Sequence, residues 1–114
     1  MAAKKLVFLQ TDKDFSQFRQ SKITSSPSLK LRYRYNTNQN FPRFGFIIPK
    51  KILPNVTDRN RIRRRIRSLL DKHINHIRPA DFLFFPLKNS LKLKFEDFEK
   101  EFTSLFEKAR LWKR

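Results

Sequence analysis

Cysteine is absent from this 114-residue chain, so it has neither a disulfide framework nor a thiolate metal site. Histidine occurs only twice, at His73 and His76, which argues against a metal centre built from protein side chains. No apolar run approaches the roughly 18 residues of a membrane span, and the N-terminal apolar stretch is too short for a secretory signal. We therefore expect a cytoplasmic protein without a membrane partner.

Acidic residues are also scarce, with 10 Asp and Glu against 27 Lys and Arg, a formal charge of +17. Disorder is not expected, because 39% of the residues are hydrophobic and 13 phenylalanines supply the area for one core. We predict a single domain spanning residues 1–114. The charge is uneven: residues 15–67 hold 14 basic residues and one acid, a net of +13. Such a local excess favours a polyanionic partner.

The most basic segment, residues 58–67, reads Asp-Arg-Asn-Arg-Ile-Arg-Arg-Arg-Ile-Arg. Its isoleucines, Ile62 and Ile66, are four apart, which predicts an amphipathic helix that buries them and displays the arginines. Six guanidinium groups without interleaved acids repel one another unless a ligand neutralises them. Each can bind an oxyanion with two hydrogen bonds, so the pattern predicts nucleic-acid binding.

Apolar periodicity predicts the order helix, strand, strand, strand, helix, strand, helix. The first helix would run from Thr11 to about Arg19, and Asp58 would cap the basic helix. Alternation at residues 29–35 predicts a strand with one apolar and one basic face. The other strands are predicted at residues 22–24, 44–48 and 81–86, and the helices after Asp58 at residues 58–77 and 95–112.

A motif spans the third strand and the basic helix: Phe-Gly-Phe-Ile-Ile-Pro-Lys-Lys at residues 44–51, then seven residues, then Arg-Asn-Arg at 59–61. It resembles the signature of the bacterial ribonuclease P protein subunit family. The resemblance implies an α/β (α+β) sandwich in the order αβββαβα, a fold also found in a domain of a small-subunit ribosomal protein. It further implies a left-handed βαβ crossover through the basic helix, against the general right-handed preference.

The same resemblance implies a partner and an activity. The family assists a catalytic RNA that uses Mg²⁺ to remove the 5′ leader from precursor tRNA, so the chain would contribute no catalytic residue and no metal ligand. The implied partners are that RNA subunit and precursor tRNA, with no DNA. Candidate RNA-subunit-binding residues are Lys50, Lys51, Arg59, Asn60, Arg61, Arg63, Arg64, Arg65 and Arg67. Candidate leader-binding residues are Phe15, Phe18 and Tyr33.

Alternatives remain open from the sequence. The three leader-binding candidates are equally consistent with core packing, and His73 lies on the apolar arc of the basic helix, where a structural role is expected. A ribosomal or other structural RNA-binding protein would share the charge and the α/β architecture. A sequence-specific DNA-binding protein would need base-reading side chains and a dimerisation element, and a stand-alone nuclease would need metal-binding carboxylates. Neither set is evident.

Overall fold

A computed structural model describes residues 6–9, 21–35 and 40–113. The predicted first helix, which carries Phe15 and Phe18, lies outside the described residues. The described strands are β1 (Val7–Phe8), β2 (Lys22–Ser25), β3 (Leu29–Arg34), β4 (Arg43–Phe46) and β5 (Asp81–Pro86). The described helices are α1 (Val56–His73) and α2 (Phe95–Lys108), with 3₁₀ turns at Ile74–His76 and Lys88–Leu91.

The five strands form one mixed sheet in the order β1-β4-β5-β3-β2. The central strand β5 runs antiparallel to β3 and parallel to β4, while β1 adds to β4 in parallel and β2 to β3 in antiparallel fashion. Parallel neighbours need a crossover connection, and α1 supplies it between β4 and β5. The α/β class and the element order after the first helix are confirmed. The hand of the crossover stays a prediction.

One face of the sheet carries the main core. Leu29, Leu31 and Tyr33 of β3 are buried in one cluster with the apolar sides of α1 and α2. Phe84 and Phe82 of β5, which pair with Leu31 and Tyr33, belong to the same cluster. Phenylalanine rings fill this layer: Phe102 lies 5.8 Å from Phe84 and 4.9 Å from Phe106, centroid to centroid. The side of the basic helix that carries Ile62 and Ile66 therefore packs on the sheet as predicted, and the phenylalanines of the last helix pack beside it.

The other face of the sheet is basic along β3. Since side chains alternate along a strand, Lys30, Arg32 and Arg34 lie opposite the core. In the pairing register they stand beside Phe85, Leu83 and Asp81 of β5, in that order. Leu83 is buried with Leu9 in a separate small cluster, against which Phe85 and Ile47 pack. The prediction of one apolar and one basic face for this strand is confirmed.

Two polar links hold the elements together. Arg43 of β4 donates from Nε and Nη2 to the Asp81 carboxylate, each at 2.8 Å, and this carboxylate is fully buried. Ser28, in the turn before β3, donates its backbone N–H to Glu101 of α2 at 2.9 Å, and its hydroxyl to the same oxygen. Burial acts to raise the pKa of Glu101, but the hydrogen bonds from Ser28 and Ser26 and the charge of Lys108 together outweigh it, so the pKa is lowered.

Several predicted boundaries were wrong. α1 begins at Val56 after Asn55, so Asp58 is not its N-cap but lies in the first turn, where a carboxylate still favours the helix N-terminus. At the other end the α-helix stops at His73, a 3₁₀ turn follows, and Ile77 pairs with Trp112 in an isolated bridge. α2 likewise ends at Lys108, and β4 ends at Phe46, so the predicted strand was two residues too long.

Burial corrects two further expectations. Phe95 is an apolar residue of the predicted last helix, yet it lies in the first turn of α2 and is 39% exposed. Tyr35 was placed on the apolar face of β3, yet it follows the strand and is exposed. His73 does pack as expected: its ring lies 6.1 Å from Phe102 and 5.4 Å from Trp112, and its Nε2 is 3.2 Å from Glu99.

Candidate nucleic-acid interface

Helix α1 holds its arginines rigidly because its other side is anchored in the core. Ile62, Ile66, Leu69 and Leu70 are fully buried. The remaining positions face outward or sideways, and no acid occurs between Arg59 and Asp71. Of the predicted RNA-binding residues on this helix, the exposed ones are Asn60, Arg61, Arg64 and Arg67, and the half-buried ones are Arg59, Arg63 and Arg65.

Arg59 clamps the loop that precedes the helix. Its Nη1 donates to the carbonyl oxygens of Leu53 at 2.7 Å and Pro54 at 2.8 Å. The Pro49 carbonyl oxygen accepts hydrogen bonds from the N–H groups of Ile52 and Leu53, and the resulting turn positions the loop. Lys50 and Lys51 are exposed within that turn. Arg59 therefore orders the connection that presents the paired lysines.

Arg65 points away from the exposed row. Its Nη1 donates to the carbonyl oxygens of Ser90 at 3.1 Å and Leu93 at 2.9 Å, and its guanidinium lies 5.9 Å from the ring centre of Phe98. Burial, followed by repulsion from Arg61, lowers the pKa of Arg65 below its ordinary value. The structure thus sets Arg65 against the connection between β5 and α2, although the sequence grouped it with the RNA-binding arginines.

Arg64 and Arg65 are neighbours with opposite surroundings, so their alanine variants should behave differently. Arg64→Ala removes an exposed cation, and the log–log salt dependence of RNA binding should become shallower by about one. Arg65→Ala leaves two carbonyl groups without their donor and should cost about 1–3 kcal/mol of stability. Denaturant unfolding and RNA binding at several salt concentrations measure both effects. An Arg65→Ala protein of unchanged stability would contradict the packing role.

The outward side of α1 forms one wall of a cleft of about 450 Å³, whose other wall is aromatic. The helix contributes Asn60, Arg63, Arg64 and Arg67, and the sheet contributes Phe8 of β1 and Phe46 of β4. The Asn60 side-chain oxygen accepts from Arg63 Nη1 at 3.0 Å. The Arg67 guanidinium lies 5.1 Å from the ring centre of Phe8.

Sequence reasoning did not single out Phe8 or Phe46 as candidate site residues. Phe46 was part of the predicted third strand, but Phe8 belongs to a two-residue strand that was not predicted at all. A two-residue element has no measurable periodicity, so its pairing with β4 carried no local signal. The available signal was composition alone, an apolar run at residues 6–9 between Lys4-Lys5 and the polar residues 10–14.

Of the three leader-binding candidates, only Tyr33 lies within the described residues. Tyr33 is only 8% exposed, on the helix-covered face of the sheet, and burial, with a smaller contribution from Tyr35, raises the pKa of its hydroxyl. The Tyr35 ring meets it edge-on at 6.1 Å and is 45% exposed. The buried position favours the core alternative for Tyr33. The positions of Phe15 and Phe18 lie outside the described residues.

The described ranges contain neither a metal-binding cluster nor a membrane-spanning helix. Within residues 6–9, 21–35 and 40–113, no group of three or more His, Cys, Asp or Glu side chains could hold a metal ion. In the same part of the chain, neither helix is long and apolar enough to cross a membrane.

Comparisons with known proteins agree with this architecture. The sequence model of the Ribonuclease P family matches residues 3–110. The ribonuclease P protein component of Lactococcus lactis subsp. lactis is 28% identical over 112 residues, which are 98% of this chain and 95% of that protein. Its counterpart in Vibrio cholerae is 32% identical over 80 residues, 70% of this chain and 67% of that protein.

Solved structures show the same fold. The RNase P protein of Staphylococcus aureus superposes with a TM-score of 0.86 at 18% identity, covering 96% of this chain and 100% of that one. The RNase P protein of Thermotoga maritima gives a TM-score of 0.79 at 18% identity, covering 92% and 97%. The chain therefore belongs to the ribonuclease P protein family, the protein components of a tRNA-processing endoribonuclease whose catalysis resides in RNA.

Proposed function

We propose that this chain binds the RNA subunit of ribonuclease P through the outer face of α1 and contacts the 5′ leader of precursor tRNA with the basic face of its sheet. The observation that carries the first part is the row of exposed guanidinium groups at Arg61, Arg64 and Arg67. These residues are three apart on a helix whose opposite side is buried. At a rise of about 1.5 Å per residue, this row extends about 9 Å along the helix.

Within the described residues, acidic side chains compensate little of the charge on this row. Asp58 lies 4.0 Å from Arg61, the limit of an ion pair, and both side chains are partly exposed. Exposed pairs of this kind contribute little and are screened by salt. RNA phosphates would supply the missing negative charge, and arginine can bind each phosphate with two parallel hydrogen bonds. Lys50 and Lys51 would extend the contact beyond the helix.

The basic face of β3 supports the second part. Lys30, Arg32 and Arg34 stand on the side of the sheet that the two described helices leave open, next to the half-buried ring of Phe85. A single-stranded leader exposes both phosphates and base faces, so cations beside an aromatic ring suit it. Phe15 and Phe18 would border this surface from the predicted first helix. Tyr33 would support the strand from the opposite side.

The chemistry of cleavage would stay with the RNA. The family's RNA holoenzyme uses Mg²⁺, and the part of the chain that the structure describes holds no group of three or more side chains suited to a metal ion. The chain's own residues would position RNA by neutralising phosphates and stacking bases. A general structural RNA-binding protein would do the same, so the decisive property is selective recognition of precursor tRNA.

A reconstituted holoenzyme tests this proposal. The chain is assembled with ribonuclease P RNA, and the Kd is measured for precursor tRNA and for mature tRNA. We expect tighter binding of the precursor, and we expect Phe15→Ala with Phe18→Ala to reduce that preference about fivefold to a hundredfold, at roughly 1–3 kcal/mol per stacked base. The control is Phe95→Ala, which removes an exposed ring from α2.

The outcomes separate the two parts of the proposal. Failure of the chain to bind ribonuclease P RNA would overturn the assignment of α1. Normal assembly with equal affinity for precursor and mature tRNA would overturn only the leader surface. Tyr33→Ala should lower the unfolding free energy, because its ring belongs to the core; a stable variant with a lost precursor preference would return Tyr33 to the leader site.

A further inference from the structure

The cleft between α1 and the edge of the sheet combines two kinds of surface. One side is formed by the half-buried rings of Phe8 and Phe46. The other side is formed by the helix residues Asn60, Arg63, Arg64 and Arg67. Among the described residues, no carboxylate lines it. Its volume of about 450 Å³ lies in the roughly 300–1,000 Å³ range of sites that enclose a small organic group.

The aromatic side is held in place from behind. The Phe8 and Phe46 rings lie 5.8 Å apart and are tilted by 31°. Phe8 also contacts Phe44 at 6.4 Å, and Phe46 contacts Phe84 at 6.2 Å, and both of these inner rings are fully buried. The pair is therefore a fixed aromatic surface at the margin of the core, which suits stacking against a planar ring.

The helix side presents its groups in one stripe. Positions 60, 63, 64 and 67 follow the i, i+3, i+4, i+7 spacing of neighbours on one helix face. Arg64 makes no hydrogen bond or ion pair within the described part of the chain, and Arg63 bonds only to Asn60 there. Three cations thus face one aromatic surface, and within the described residues the Asn60 oxygen is their one side-chain hydrogen-bond acceptor.

We propose that this cleft binds one unpaired nucleotide of the RNA subunit, with its base stacked on Phe8 and Phe46 and its phosphate bound by Arg63 and Arg64. This inference rests on the proposed function and names the RNA element that the outer face of α1 would recognise. A paired base exposes only its edges in a groove, because its faces are stacked on its neighbours. A bulged or looped-out base exposes its face and can enter an aromatic cleft.

Arg67 and Asn60 provide two further groups that can contact the bound base. The Arg67 guanidinium already lies over the Phe8 ring at 5.1 Å, so that ring accepts a flat, positively polarised partner, and guanidinium planes also stack on bases. Because 5.1 Å is too short for a base to lie between them, the guanidinium would move outward and stack on the other face of the bound base. The Asn60 side-chain nitrogen donates no hydrogen bond within the described residues, which leaves it available to an acceptor on the edge of the base.

A pair of RNA hairpins tests the inference on the intact chain. The two probes differ by a single bulged adenosine, and their Kd values are measured by fluorescence anisotropy at equal salt. We expect the bulged hairpin to bind about fivefold to a hundredfold more tightly, the effect of stacking one base. With 5-iodouridine in the bulge, irradiation should link the RNA to a peptide that contains Phe8 or Phe46. Equal binding of both hairpins, or a crosslink confined to other peptides, would overturn the cleft.

A double variant provides the matched comparison. Phe8→Leu with Phe46→Leu keeps apolar side chains at the margin of the core but removes both ring faces, so the ratio of the two Kd values should fall to about one. Phe95→Leu is the control, since it makes the same change at an exposed ring outside the cleft and should keep the preference. A double variant that keeps the preference overturns the inference. If this variant unfolds, the crosslink on the unmodified chain decides.

These results are distinguishable from failure of the proposed function. Steep salt dependence with equal affinity for both hairpins would leave the arginine face standing and remove only the single-nucleotide site. Weak, salt-insensitive binding of both hairpins would contradict the arginine face itself.

Discussion

The affinity of this chain for ribonuclease P RNA is expected to fall about 250-fold to 1,000-fold when monovalent salt rises from roughly 50 to 200 mM. Six exposed or half-exposed cations on and before α1 face outward: Lys50, Lys51, Arg61, Arg63, Arg64 and Arg67. Each phosphate that they neutralise releases counterions, so the slope of log K against log salt should be about −4 to −5. Filter binding or anisotropy across this range measures it.

Replacing Arg61, Arg64 and Arg67 together with alanine should make that slope shallower by about 2 to 3, because three phosphate contacts are lost. The control is Lys92→Ala, Lys100→Ala and Lys113→Ala, which removes the same charge from exposed positions outside α1. If both triple variants changed the slope equally, binding would depend on net charge alone. The assignment of the RNA face to α1 would then be wrong.

Truncation of the aromatic core should produce the largest loss of stability. Phe102→Ala removes a fully buried ring that contacts Phe84, Phe106 and His73, and it should cost about 3–5 kcal/mol. Ile66→Ala, on the buried side of α1, should cost about 2–5 kcal/mol. Since small domains have only about 5–15 kcal/mol in total, either change removes a large share of the stability.

Denaturant unfolding measures these losses, with an unchanged slope in denaturant indicating that the fold is retained. Phe95→Ala is the control on the same helix as Phe102, because its ring is exposed and its removal should cost less than about 1 kcal/mol. Losses below about 1 kcal/mol at both Phe102 and Ile66 would contradict the two core faces on which the placement of the arginines depends.

Hydrophobic periodicity was sufficient to predict the elements that are long or half-buried. Alternation predicted β3 and its two faces, and the 3.6-residue pattern predicted which sides of α1 and α2 pack. The first and last residues of these elements were less predictable. Asp58 is an acceptable cap by composition, but α1 starts earlier because Arg59 and the turn at Pro49 shape the loop before it.

The resemblance to a family motif restricted the identity of the protein more than the periodicity of any single element did. The glycine-containing strand, the paired lysines and Arg-Asn-Arg at a fixed spacing connect β4 to α1, and the match to residues 3–110 confirms that interpretation. A periodic pattern by itself is compatible with many basic α/β proteins. The spacing of unlike motifs restricts the choice because it specifies a strand, a loop and a helix together.

The sequence by itself determined the charge, the family, the strand with a basic face and the helix that displays the arginines, because these depend on composition and on neighbours within a few residues. Only the tertiary structure decided which arginines are available. Arg65 turns inward because α1 passes the carbonyl groups of Ser90 and Leu93, and Arg67 meets Phe8 because β1 pairs with β4. Those contacts join residues 25 to 59 positions apart, and no periodicity within one element can encode them.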